Sequence, residues 1–457
     1  MKYIDEEKIL KTLDDAKNAT DEKVESILNK SLSLQRLSIH ETAVLLQADD
    51  EKNVNKIFHA AKLVKKRIYG NRIVLFAPLY ISNYCRNDCL YCAFRASNRV
   101  VKRKFLTYDE ILEQTQIILK MGHKRILLVA GEAPPPKTSL IDYYLDAIKA
   151  VYSANYENSK IRRVNINAAP LSVEEFRQLK KAGIGTYQIF QETYHEDTYK
   201  KMHPSGPKKD FDNRIDAVDR AFKAGIDDVG IGVLFGLYDY KFETLALLMH
   251  IEALEKKFNV GPHTISVPRI EPAEGVNFKP DYELSDKEFK KLVSILRLAV
   301  PYTGMILSTR ETPSMRDELF DLGISQASAA SKTSPGGYKE QETTAQFFLG
   351  DSRSLDEIME TLIKKGYLPS FCTACYRSGR TGETFMNLAK PGTIKGKCTM
   401  NALITLKEYL DDFASEEVRK AGYDLIQKEK EKLSSSEQLA LSKFYEEIEK
   451  GLRDKYV

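Results

Sequence analysis

A chain of 457 residues, 42% of them hydrophobic, can bury one large core with additions or two to three smaller ones. The balance of 69 basic against 65 acidic residues excludes a general polyanion binder, so no nucleic-acid partner is expected. No stretch approaches the roughly 18 uninterrupted apolar residues of a membrane span, and residues 1–10 are charged where a secretory signal is apolar; no membrane association and a cytoplasmic location are expected.

Residues 1–70 read as an N-terminal helical extension, with Leu28, Leu32, Leu34, Leu37, Leu45 and Leu46 near helical spacing among charged residues. From 71 to 340 short apolar runs alternate with charged helical stretches. Strands are expected at 73–81, 125–130, 163–168, 186–190, 229–235, 263–268, 305–309 and 324–328, and helices at 108–121, 173–182, 214–224, 242–258 and 286–300. Gly122, Gly183 and Gly225 stand where a helix closes in the left-handed conformation before the next strand. Eight such repeats fit an α/β fold, a parallel (β/α)8 barrel of the TIM type. A doubly wound open sheet competes, because periodicity does not establish closure. From 341 to 457 the alternation stops, and a helical C-terminal domain is expected, with Leu425, Leu433, Leu439, Leu441 and Phe444 as buried positions. The short basic clusters Lys102-Arg103-Lys104 and Lys208-Lys209 are expected to be solvated surface.

Cysteine usage is the sharpest signal. The six cysteines form two groups of three, separated by about 280 residues, and none is left over for core packing. In a chain with no secretory signal this points to metal rather than disulfides. Cys85-Arg-Asn-Asp-Cys89-Leu-Tyr-Cys92 directly follows the first barrel strand. Three thiolates on one loop hold three irons of a cubane and leave the fourth iron free for chemistry. Zinc is the alternative, but a structural zinc site closes with four ligands and no histidine is placed to complete it.

A CxxxCxxC loop at the top of the first strand, with Tyr91 before the last cysteine, resembles the radical S-adenosylmethionine (SAM) superfamily. That resemblance implies a 4Fe–4S cluster whose open iron binds the cofactor and cleaves it to a 5′-deoxyadenosyl radical. It also assigns cofactor-binding roles. Gly131 and Glu132, after the second strand, match the family's turn that holds the methionine amino group, and Gly232 in GIGVLFGL matches the glycine-bearing fifth strand beside the adenine. Arg269 and Glu271, ending the sixth strand, and Asn165, Asn167, Gln188 and Glu192, ending others, are candidates for ribose, carboxylate or substrate contacts. The readings against these are a plain turn at Gly131, packing at Gly232 and a non-catalytic iron–sulfur scaffold for the whole.

The second group, Cys372-Thr-Ala-Cys375 with Cys398, again offers three thiols, and no histidine follows His263 to complete a zinc site. With the core CTACYRSGRTG and the stretches PLYISNYCRNDCLYC, LLVAGEAP, GIGVLFGLYDY and GPHTISVPRIEPA, the chain resembles the HydG family of tyrosine lyases that mature FeFe-hydrogenase. The resemblance implies cleavage of the L-tyrosine Cα–Cβ bond to p-cresol and dehydroglycine, then formation of carbon monoxide and cyanide on an additional iron. That iron is held with a bound L-cysteine at a second 4Fe–4S cluster on the C-terminal domain. It further implies an electron donor such as ferredoxin or flavodoxin, and other hydrogenase maturation proteins as partners. 2-Iminoacetate synthase performs the same cleavage for thiazole biosynthesis without the second cysteine group, and is the alternative reading.

A zwitterionic substrate needs a cation for its carboxylate. Arg310, with Ser308, ends the seventh strand and is the candidate; the competing role is a rim salt bridge to Glu311 or Asp317. His263 begins the sixth strand, six residues before Arg269, and so is expected roughly 20 Å from the upper mouth, where it is the candidate ligand of the additional iron.

Overall fold

The computed structural model describes residues 3–340 and 345–457, so the expected domain boundary at 340/341 falls against residues outside those described. Four helices, Glu6–Asp15, Asp21–Leu32, Ile39–Gln47 and Glu51–Tyr69, open the chain; Asp5, Thr20, Ser38 and Asp50 cap them by accepting from backbone N–H groups in the first turn. They pack against the barrel helices Tyr240–Phe258 and Asp286–Ala299.

The strands β1 (Arg72–Ser82), β2 (Arg125–Ala130), β3 (Arg163–Asn167), β4 (Tyr187–Gln188), β5 (Val229–Gly232), β6 (Thr264–Ser266), β7 (Gly304–Leu307) and β8 (Gln326–Ser328) pair in chain order, all in parallel. β8 closes on β1 (Val74↔Gln326, Phe76↔Ser328). All eight expected strands are present and the barrel is closed, which removes the open-sheet alternative. Several run shorter than expected, because the apolar run continues into the loops that build the upper mouth. The helix expected at 214–224 is split into Phe211–Ile215 and Ala217–Lys223, bending at Asp216, whose carboxylate accepts from Tyr3 at 2.7 Å. Gly122 takes φ +96°, and a Cβ there would lie 2.7 Å from the Tyr409 ring, so both conformation and space demand glycine.

A ninth strand of this sheet, β9 (Leu368–Ser370), was not expected from the sequence. It pairs with Arg72–Val74 at the lower end of β1, beneath β2, because Val74 meets β8 on one edge and β9 on the other. Three residues with a proline among them carry no readable strand period. Helices Ala374–Arg377, Gly382–Ala389, Ile394–Asp412, Glu416–Lys430 and Ser435–Glu449 follow. Leu425 and Leu441 are buried, and Leu433 and Phe444 partly so. Leu439 is 62% exposed, against expectation: two residues from Leu441 is about 200° around a helix, the opposite face. Among the described residues no helix is long and apolar enough to cross a membrane.

Arg316, fully buried, is ion-paired to buried Asp351 and donates to the Ser328 carbonyl on β8, while Arg353 reaches the same carboxylate at 2.7 Å. Asp351→Ala strands a buried guanidinium and should destabilise the fold by about 3–5 kcal/mol in denaturant unfolding. A loss below about 1 kcal/mol would show that the pair does not anchor this segment to the barrel.

Candidate functional site

The loop between β1 and helix Tyr108–Lys120 carries Cys85, Cys89 and Cys92 at the C-terminal mouth of the barrel. Its shape is fixed from inside. Asn83 accepts from Lys104 N at 2.7 Å and donates to Lys102 O at 2.9 Å; the Arg103 guanidinium donates to the carbonyls of Asn83, Phe94 and Arg95 at 2.7, 2.8 and 2.6 Å. Arg103 is therefore a tie of the cysteine loop, not solvated surface. Burial and the nearby Glu132 push the Cys85 thiol up to about 11, and burial raises Cys89 and Cys92 as well. These thiols stay protonated near neutrality until a metal displaces the proton.

The three thiols open onto a cavity of about 190 Å³ with Gly131, Glu132, Asn167, Gln188, Glu192, Ser308 and Arg310. A Cβ on Gly131 would sit 2.2 Å from the Tyr84 carbonyl, so this turn holds Glu132 at the cysteine loop only as glycine. Glu132 accepts from Arg214 at 2.8 Å and from Asn87 at 2.7 Å; Lys208 pairs with Glu192 at 2.7 Å. Burial resists the charge on Glu132, and Arg214 and Lys208 overcome it, holding the carboxyl below its ordinary range. Lys208, expected at the surface, is 8% exposed because this carboxylate pair draws it inward. Neither it nor Arg214 carries a local sequence signal: they arrive from a loop and a short helix far from the cysteines. Tyr91 is hydrogen-bonded to His203 Nε2 at 2.8 Å, which anchors the aromatic of the cysteine motif.

Arg310 stacks over the Phe347 ring at 3.4 Å and, among the described residues, makes no side-chain hydrogen bond or ion pair. Its expected rim partners are taken: Glu311 pairs with Arg269, and Asp317 with Arg353 at 3.0 Å. Ser308 Oγ accepts from Arg310 N at 3.3 Å.

Three expected cofactor contacts lie elsewhere. Asn165 does not line the cavity; its side-chain Oδ1 accepts from Arg163 Nε at 2.7 Å and from Thr186 N at 3.1 Å, since Asn165 shares the inward face of β3 with Asn167 but lies one strand period lower. Arg269 is committed to Glu311, to Asp286 at 2.9 Å and to the Leu284 carbonyl, fastening the loop after β6. Gly232 is walled from the cavity: a Cβ there would meet Ser266 O at 2.7 Å and the Phe190 ring at 3.0 Å, a packing role.

At the opposite mouth β9 delivers Cys372 and Cys375, and helix Ile394–Asp412 delivers Cys398, to a smaller chamber of about 40 Å³. His263, immediately before β6, lines it, as the strand geometry predicts. Burial and three neighbouring arginines pull this imidazole down to about 4 against the opposing pull of Asp228, 3.5 Å from Nδ1, so it is neutral near pH 7. Tyr376, Asp228, Arg163 and Thr186 form a hydrogen-bonded group beside it that the sequence did not reveal. The two chambers share one face of β1: Arg72 and Val74 line the lower, Phe76, Pro78 and Tyr80 the upper.

A loop of three thiols at the C-terminal mouth of a closed parallel barrel, backed by a charged cavity, defines a radical SAM enzyme. The radical SAM superfamily model matches residues 79–250, and that of the biotin and thiamin synthesis associated domain residues 266–368. The 2-iminoacetate synthase of Escherichia coli (strain K12) is 31% identical over 78% of this chain and 92% of its own. The crystal structure of HydG, a maturase of the FeFe-hydrogenase, is 51% identical over 100% of both chains with a TM-score of 0.96; HydG from Carboxydothermus hydrogenoformans is 43% identical over 96% of this chain and 97% of its own, with a TM-score of 0.85. The chain belongs to the HydG family of radical SAM enzymes.

Glu192 holds φ +73°, a left-handed conformation that costs a non-glycine residue on the order of 1 kcal/mol. The loop is pinned from behind by Glu243, fully buried, which accepts from the Thr193 hydroxyl and from Tyr194 N at 2.9 Å. Burial pushes the Glu243 carboxyl up to about 8. The folded state thus binds a proton that the unfolded chain releases above its ordinary carboxylate range. Stability should fall by about 1.4 kcal/mol per pH unit from this group as pH rises towards 8, and level off above it. Glu243→Gln should remove that slope; equal slopes for both proteins between pH 5 and 8 would refute the assignment.

Proposed function

We propose that the protein is a radical SAM tyrosine lyase, which cleaves the Cα–Cβ bond of L-tyrosine to p-cresol and dehydroglycine. The second product is then converted to carbon monoxide and cyanide on an iron at the lower chamber, for assembly of the FeFe-hydrogenase H-cluster. The observation that carries this reading is a pair of three-thiol chambers at the two mouths of one barrel, with an unpartnered arginine in the upper one. Cys85, Cys89 and Cys92 would hold the first 4Fe–4S cluster; SAM bound there supplies a 5′-deoxyadenosyl radical. Glu132, Asn167, Gln188 and Glu192 face the cavity as its polar contacts. Arg310, already stacked on Phe347, presents a preformed fork to the tyrosine carboxylate.

In the lower chamber Cys372, Cys375 and Cys398 would hold a second cluster. Burial pushes Cys398 up to about 11, and the nearby Arg72 and Arg380 favour its thiolate, as an anionic cluster requires. His263 would bind the additional iron, together with L-cysteine, as a neutral ligand. The 2-iminoacetate synthase reading leaves this chamber without a purpose. An electron donor such as ferredoxin or flavodoxin, and maturation partners that receive the iron, complete the proposal.

Product analysis separates the chambers. Cys89→Ala should abolish 5′-deoxyadenosine and p-cresol together, whereas Cys372→Ala with Cys375→Ala should leave p-cresol and eliminate carbon monoxide. Carbon monoxide at the unaltered yield from the double variant would exclude the lower chamber as its source. For substrate binding, Arg310→Ala should raise the KM for tyrosine on the order of a hundredfold, with partial rescue in Arg310→Lys, because an ammonium lacks the planar fork. An unchanged KM in Arg310→Ala would place the carboxylate elsewhere.

A further inference from the structure

The loop from Asn83 to Thr107, which carries the first cysteine group, holds six cations (Arg86, Arg95, Arg99, Lys102, Arg103 and Lys104) against one acid, Asp88. Its net charge of +5 exceeds the +4 of the whole chain, so all other residues together stand at −1. Arg103 is turned inward as a tie, and Lys104 is paired with Glu340 at 2.9 Å. Arg86, Arg99 and Lys102 are exposed and, among the described residues, make no side-chain hydrogen bond or ion pair. Residues 205–209 lie against this loop: Asp88 N donates to Ser205 O at 3.2 Å, and a Cβ on Gly206 would stand 2.4 Å from Arg86 O. They add Lys209, which is exposed and likewise unpaired among the described residues. The neighbouring acids are engaged: Asp88 accepts from the Ser97 hydroxyl at 2.6 Å, and Asp210 from Asn213 N at 2.9 Å.

The same rim exposes apolar surface. Val100, 64% exposed, is the most exposed large hydrophobic side chain among the described residues, and Phe348 is 54% exposed. Both belong to segments knitted to the cysteine loop. Asn98 donates to Glu274 O at 2.9 Å, Phe348 N to Pro272 O at 3.0 Å, and Ala93 N to Gln346 O at 3.4 Å. Exposed apolar side chains within a field of one sign suit a partner surface of the opposite sign. Arg86 directly follows Cys85, so a partner seated on this rim stands one residue from a ligand of the first cluster.

We propose that Arg86, Arg99, Lys102 and Lys209, with Val100 and Phe348, form the docking surface for an acidic one-electron carrier protein. That the occupant is an electron carrier rests on the function proposed above, in which an outside donor reduces the first cluster. One electron leaves the carrier, which is oxidised, and reaches the cluster at Cys85, Cys89 and Cys92; reduction of the SAM sulfonium then breaks its C5′–S bond to methionine and the 5′-deoxyadenosyl radical. A small charged rim suits a transient redox encounter, in which charge sets the rate of association and its salt dependence.

An acidic 4Fe–4S ferredoxin is the probe, titrated against the reconstituted full chain with iron content verified. It should bind saturably at about 0.05 M salt and about tenfold more weakly at about 0.3 M, where charges are screened over a shorter distance. Arg99→Glu with Lys102→Glu should weaken binding about tenfold or more at low salt and flatten its salt dependence. Lys420→Glu with Lys428→Glu, the same charge change on exposed lysines of helix Glu416–Lys430, should leave the isotherm in place. Ferredoxin-driven 5′-deoxyadenosine formation should fall with binding in the first variant, while dithionite-driven formation keeps the wild-type rate. Unchanged affinity in Arg99→Glu with Lys102→Glu, or equal weakening in both charge-reversed proteins, would overturn the surface. So would a ferredoxin that binds there yet yields no 5′-deoxyadenosine where dithionite does. If the reversed variant loads less iron, Arg99→Gln with Lys102→Gln takes its place: weakened binding at full iron content supports the surface, and wild-type affinity overturns it. A protein that forms 5′-deoxyadenosine but no p-cresol with either reductant would sink the lyase reading and keep the surface.

Discussion

The structure depends on β1. It is the longest strand of the barrel at 11 residues, buried from Ile73 to Ser82, and among the described residues it alone is hydrogen-bonded to three other strands. Pairing with β8 closes the barrel, and pairing with β9 at its lower end attaches the segment that carries the second cysteine group. Its upper end feeds the first cysteine loop. At roughly 3.3 Å per residue, the alternate inward residues Arg72, Val74, Phe76, Pro78 and Tyr80 run about 26 Å along the interior. A strand of ordinary length would reach one chamber only.

Both chambers keep charge in places where burial alone would neutralise it, and they do so differently. Above, Glu132, Arg214, Glu192 and Lys208 satisfy one another, a network rigid enough to hold the cysteine loop before anything binds. Below, the cations have no acidic counterparts in the lining, and burial with the neighbouring Arg163 pulls Arg125 below its ordinary range. The ion pairs of the upper chamber are satisfied within the fold, whereas the cations of the lower one meet no carboxylate in its lining.

Much of this was legible in the chain. The eight strands were readable because parallel strands covered by helices are written as continuous apolar runs, and the cysteine spacing placed the first site. The places of Arg310 in the upper cavity and His263 in the lower one followed from their positions at strand ends. What was not legible depended on long-range partners. Nothing local marks Lys208 or Arg103 as interior, since a lysine and an arginine in charged stretches look alike whether or not a carboxylate or a set of carbonyls awaits them. Asn165 was misplaced by one step of the strand period, where Asn167 alone reaches the mouth. Arg269 was misplaced because its partner Glu311 lies 42 residues on. β9 escaped notice because its pairing, not its composition, makes it a strand.

The layer between the chambers bears on how they act together. Barrel interiors of this type are ordinarily filled by layers of branched apolar side chains. Here β4, β6 and β8 contribute Gln188, Thr264 and Gln326, and the neighbouring strands contribute glycines that make room for them. A Cβ at Gly230 would stand 2.7 Å from Thr264 Oγ1 and 2.8 Å from Gln188 Cγ, and one at Gly304 would stand 2.9 Å from Gln326 Nε2. Gln188 Oε1 and Thr264 Oγ1 are buried without partners among the described residues. Each such atom costs about 1–3 kcal/mol against an apolar replacement. The layer that separates the two chambers is thus polar where such a barrel is ordinarily apolar.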